Sequence, residues 1–152
     1  MAIAHPSPRG FTLLIAVVLA SVTLSLALAL LDVAYKQVTL AFAAKHSHYA
    51  FAAADTALEC ALYYDQKLDR FNYSLASGTV ICGGNTVTVT FDNTVTPRRR
   101  DFTLPCAGGV GQSAVVRIYK QSDATTQIYA NGYNSCSTTD TRRVERGLYI
   151  SY

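Results

Sequence analysis

Residues able to do chemistry are sparse in this chain of 152 residues, and few stand at spacings that chemistry requires. His46 and His48 are two apart, which on a helix turns them roughly 200° away from each other, so they cannot share a metal ion. Asp55 and Glu59 stand four apart, as do Asp65 and Asp69, so a helix would set each couple side by side as a carboxylate pair. The same spacing also serves solvated carboxylates that meet a basic neighbour. No glycine-rich phosphate loop follows a strand, and no G-x-S-x-G is present. The reading is a non-enzyme with no cofactor and no metal. Cys60, Cys82, Cys106 and Cys136 include no C-x-x-C pair, which argues against a zinc ribbon or a dithiol redox site. Outside the cytoplasm an even count favours two disulfides. Three connectivities are open. The favoured one, Cys82–Cys106 with Cys60–Cys136, would tie the sheet together and the helix to the C-terminal region.

Two basic clusters remain, Arg98-Arg99-Arg100 and Arg142-Arg143 with Arg146. The first reading is that they are exposed turn residues offset by Asp101, Asp140 and Glu145. Contacts to a neighbouring subunit come second, and nucleic-acid phosphates third. Tyr129, Tyr133, Tyr149 and Tyr152 offer exposed aromatic rings for adhesion, although tyrosine is common in solvated sheets.

The elements that must position these residues differ sharply in character. The chain is about one domain long, half apolar and only mildly basic at +3, which excludes intrinsic disorder and argues against a multidomain enzyme. Phe11 to Leu31 contains no charge, no glycine and no proline, and spans about 31 Å as a helix, against about 30 Å of bilayer hydrocarbon. Thr12, Ser21, Thr23 and Ser25 can bond back to helix carbonyls and so be tolerated in lipid. The run could be a signal peptide cut after Ala27-Leu28-Ala29, a plain anchor, or a helix later withdrawn into an assembly. A buried helix of a soluble domain fits poorly, because the run is apolar on every side.

Its flank carries a family resemblance. Arg9-Gly10-Phe11-Thr12-Leu13-Leu14-Ile15 resembles the processing site of type IV prepilins and pseudopilins, in which a short basic leader ends in glycine. The resemblance implies that a prepilin peptidase cuts after Gly10 and methylates the new amine of Phe11. Family members usually carry glutamate as the fifth mature residue; here that position is Ile15. Members without it include tip-located minor pilins and pseudopilins, so Ile15 points to a minor or initiating subunit, with a major pilin as the alternative. The stretch Ala50 to Cys60 also resembles the AF-x-A-A-x-x-G-L stretch of such minor pilins, and Asp32 stands where many major pilins have a proline. The implied partners are other pilin subunits, the peptidase, a membrane assembly platform and the membrane itself before assembly. The implied location is the inner membrane with the head outside, then a filament. The rival function is a membrane-anchored or secreted β-rich binding module.

Beyond the apolar run, the absence of glycine and proline up to Ser77 lets the helix persist to about Arg70, a rod of about 90 Å. Phe51, Ala54, Leu58, Ala61 and Leu62 recur at helical spacing and should face a sheet. From Ser77 the period becomes two. Val87, Val89 and Phe91 alternate with threonines, and Ser113–Lys120, Thr126–Tyr129 and Val144–Tyr152 read as further strands. Gly83-Gly84-Asn85, Thr96-Pro97, Gly108-Gly109-Val110-Gly111 and Asn131-Gly132 punctuate them. The expected fold is therefore α+β, a long N-terminal helix with an apolar first half, packed on a small antiparallel sheet in a pilin-like layout. Its segments are a leader at 1–10, an apolar helix at 11–31, an amphipathic continuation at 32–76 and a β-rich head at 77–152.

Overall fold

The computed structural model describes residues 9–74, 78–106, 111–123 and 125–152. Leader residues 1–8, the boundary at 76/77 and the Gly108-Gly109-Val110 part of the expected turn lie outside the described residues. By its internal contacts the chain divides into two units, residues 1–42 and 43–152. One helix, α1 (Arg9–Gln66), contributes to both.

In the first unit the backbone is helical from Arg9 onward, and every side chain from Phe11 to Phe42 is exposed. The hydroxyls act as the sequence suggested. Ser21 Oγ donates to the Val18 carbonyl at 2.8 Å, Thr23 Oγ1 to Ala20 at 3.0 Å and Ser25 Oγ to Ser21 at 2.8 Å. Asp32 and Lys36, one turn apart, neutralise each other at 2.7 Å. This segment is long and apolar enough to cross a membrane.

In the second unit six strands form one antiparallel meander in sequence order. They are β1 (Gly78–Cys82), β2 (Asn85–Asp92), β3 (Arg98–Leu104), β4 (Ser113–Lys120), β5 (Thr126–Tyr133) and β6 (Glu145–Ser151). A two-residue turn closes the first hairpin, and it needs glycine twice, because Gly83 and Gly84 have φ of 56° and 79°. The inner face presents Val80, Val87, Val89, Phe102, Val116, Ile118, Ile128 and Ala130, all buried. Against them lies the α1 stripe Ala53, Ala57 and Ala61, with Phe71 stacked on Phe102 at 6.1 Å between ring centroids. Methyl-sized side chains let a helix approach a sheet closely. The approach is tight at Gly132 on β5, where an added Cβ would stand 2.1 Å from the Ala50 carbonyl oxygen.

Four expectations are corrected. The helix ends at Gln66 rather than Arg70, because Asp69 turns left-handed (φ 48°) and Arg70 N–H bonds back to the Tyr64 carbonyl at 2.9 Å. Phe51 faces outward at 46% exposure, and alanines make most of the contact, with Leu58 and Leu62 at its margin. Asn131-Gly132 lies inside β5 rather than in a turn. The disulfides are Cys60–Cys82 and Cys106–Cys136, with Cα separations of 5.9 and 6.1 Å. The register explains that pairing. Cys82 lies on the inner face of edge strand β1, the face that α1 covers, so it meets Cys60. Leu104 pairs with Ala114, and Ala114 with Gly132, so β3 and β5 finish at one end of the sheet and bring Cys106 to Cys136.

Both bridges close loops of moderate length, with sequence separations of 22 and 30 residues. Chain-entropy reasoning gives each about 3–4 kcal/mol of stabilisation. Reducing the full-length chain in detergent is therefore expected to lower its urea midpoint, and pairwise Cys→Ser variants should reproduce the shift without reductant. An unchanged midpoint would show that neither crosslink restrains the unfolded chain.

Candidate functional site

The helix of the first unit carries no charged side chain from Phe11 to Leu31, and its apolar side chains are exposed. Phe11 is 67% exposed, Leu19 60% and Leu30 71%, on every side of a helix whose backbone bonds are all internal. Such an element is stable only in lipid or against other apolar helices. Its small residues Ala16, Ala20, Ala27 and Ala29 would allow close helix approach. The Gly10-Phe11 junction lies within helix, at the start of the described residues.

On the head, the first basic cluster sits in β3 rather than in a turn. Alternation sends Arg98 and Arg100 inward and Arg99 outward. Arg100 is fully buried: its Nη2 donates to the Asn72 and Tyr73 carbonyls at 3.3 and 3.2 Å, and its guanidinium lies 4.7 Å from the Phe91 ring centre. Burial, with the nearby Arg98 charge, pulls its pKa below the usual arginine value. Arg98 donates to the Tyr73 carbonyl at 2.6 Å and stacks on the Tyr73 ring. Two of the three arginines therefore hold the loop after α1 against the sheet. Arg99 pairs with Asp101 at 2.7 Å. In the second cluster Arg142 is exposed, Arg143 stacks on Tyr133, and Arg146 Nε donates to Ser47 Oγ at 2.8 Å.

The histidines and carboxylates also separate. The Asn134 amide lies 3.0 Å from His46 Nδ1, whereas His48 is exposed. Asp55 and Glu59 are both exposed, while Asp69 accepts from the Asn72 amide. Asp65 is different: it is buried, and its Oδ2 accepts from Lys120 Nζ at 2.6 Å and from the Tyr152 hydroxyl. Lys120 also reaches Thr126 Oγ1 at 2.7 Å. Burial, reinforced by the Asp65 carboxylate, raises the Tyr152 pKa well above the usual phenol value. The cluster pins Tyr152 to the end of α1. Among the described residues no group of three or more His, Cys, Asp or Glu gathers as a metal site.

Of the four late tyrosines, Tyr133 and Tyr152 are committed to Arg143 and Asp65. Tyr129 and Tyr149 remain on the outer face of the sheet at 38% and 53% exposure, their ring centres 4.7 Å apart. Tyr119 joins them from β4, edge-on to Tyr129 at 5.7 Å. Local spacing does not single out Tyr119 and its polar neighbours Arg117, Gln127 and Asn131; the period-two alternation of β4 and β5 places all of them on one face. Comparison with protein-family models, curated proteins and solved structures found no match.

Proposed function

We propose that this chain is a structural subunit, minor or initiating, of a type IV pilus or related pseudopilus. The observation that carries the reading is the helix of residues 11–31, which bears no charged side chain and is uncovered by anything else in its unit. It begins at a Gly10-Phe11 junction resembling a prepilin cleavage site. Before assembly the helix would lie in the inner membrane, and afterwards among the helices of other subunits. The β-rich head would sit outside the cytoplasm, where two disulfides can form and persist. The absence of an acidic side chain at Ile15 fits a subunit that needs no counter-charge for the amine of a neighbour ahead of it. The partners on this reading are sister subunits, the prepilin peptidase and the assembly platform.

The same helix would serve a single-pass anchor for a binding module, and the mature N-terminus separates the two. Mass spectrometry of protein from cells holding a prepilin peptidase should find a chain starting at N-methylated Phe11. Cells without the peptidase should retain the leader. An intact Met1, or a start at Leu30, in the presence of the peptidase would overturn the filament reading.

A further inference from the structure

The outer face of the sheet carries a shallow depression lined by Pro97, Arg117, Tyr119, Gln127, Tyr129 and Asn131. Its layout follows from strand register: Gln127 stands opposite Tyr119, and Tyr129 opposite Arg117, so two rings and two polar side chains alternate across β4 and β5. The rings of Tyr119 and Tyr129 meet at 87°, one edge against one face, and Tyr149 continues the row on β6. On the inner face of the sheet such rings would be ordinary core. Here they stand among amides on the solvated side.

We propose that this depression binds neutral oligosaccharides. A pyranose has an apolar C–H face that packs on an aromatic ring, and a rim of hydroxyls that need donors and acceptors close to the ring plane. The tyrosines supply the first. Gln127, whose amide has no hydrogen-bond partner among the described residues, supplies the second, together with Arg117 and with Asn131, held in place by Glu145. Few convergent polar groups beside aromatic surface is the usual composition of a small-molecule site. Charge argues against an anionic ligand. Both guanidiniums of this part of the face stand opposite carboxylates in the register, Arg99 opposite Asp92 and Arg117 opposite Asp101, leaving no net field for phosphates. This site belongs to the head alone and does not depend on cleavage after Gly10, so either reading can fail without the other.

The chain contains no tryptophan and ten tyrosines, so the emission change owed to the site is the part that Tyr129→Ala removes. Full-length protein in a zwitterionic, sugar-free detergent would be titrated with cellotetraose, maltotetraose and chitotetraose to about 10 mM, with a twelve-residue oligothymidylate in parallel. The expected result is a saturable change with at least one sugar. Tyr129→Ala should weaken it about tenfold and Gln127→Ala about fivefold. Gln127→Ala removes only an outer-face amide, so retained far-UV dichroism keeps that variant interpretable should Tyr129→Ala disturb the sheet. No saturable change with any of the three sugars would overturn the proposal, as would binding that both substitutions leave unchanged. Tighter binding of the oligonucleotide than of every sugar would replace it with a single-strand nucleic-acid surface.

Discussion

Gly132→Ala is expected to destabilise the head by an amount at or beyond the upper end of the about 1–3 kcal/mol typical of overpacking. The added methyl group would lie 2.1 Å from the Ala50 carbonyl oxygen and 2.4 Å from the Ala54 nitrogen, both backbone atoms of α1. No rotamer change can relieve a contact with backbone, and Ala50 and Ala54 leave almost nothing to trim. The helix must lift from β5, which loosens the whole alanine contact with the sheet. Gly147→Ala is the control. That Cβ would find only the Asn131 side-chain oxygen at 3.5 Å, an ordinary contact, on an exposed edge strand. Urea denaturation of the two full-length variants should separate them clearly; equal midpoints would mean that α1 does not approach β5 as closely as described.

Asp65→Ala is expected to cost about 3–5 kcal/mol, because it leaves a largely buried ammonium without its counter-charge. The Lys120 and Asp65 side chains are only 15% and 3% exposed, so water replaces the lost partner poorly. The same substitution releases the Tyr152 hydroxyl. If the loss comes from the stranded charge rather than from packing, the double replacement Asp65→Leu with Lys120→Met should recover most of it, since apolar groups of similar volume often match a buried ion pair. Thermal or urea unfolding of the single and double variants decides this. A double variant as unstable as the single would assign the loss to packing and to the Tyr152 tether.

These two sites lie where the sequence was least legible, for different reasons. Asp65 read as half of an i, i+4 carboxylate pair with Asp69, because only local spacing was visible. Its partners are 55 and 87 residues away in the chain, and nothing local marks them. Gly132 read as turn punctuation beside Asn131, since the same residue type serves a turn and a close backbone approach. The cluster Arg98-Arg99-Arg100 concealed a strand: three consecutive charges mask an alternation that Arg98, Arg100, Phe102 and Leu104 nevertheless keep. An arginine reads as surface until carbonyls such as those of Asn72 and Tyr73 are known to meet it. β1 escaped notice because Gly78-Thr79-Val80-Ile81-Cys82 is too short to establish a period.

What the chain determined by itself is what depends on local periodicity and composition. The unbroken apolar helix from Phe11, the change to period two in the C-terminal half, the limits of Ser113–Lys120 and the even cysteine count outside the apolar run all follow from neighbours in sequence. The Gly83-Gly84 hairpin belongs with them, because a two-residue turn with positive φ is a local demand. Tertiary structure decided which cysteines pair, which arginines are buried, where α1 touches the sheet, and which tyrosines share the outer face with Gln127 and Arg117. Each of these depends on register between strands distant in sequence. A period of two fixes only which face a side chain takes, and the antiparallel pairing then chooses its neighbour.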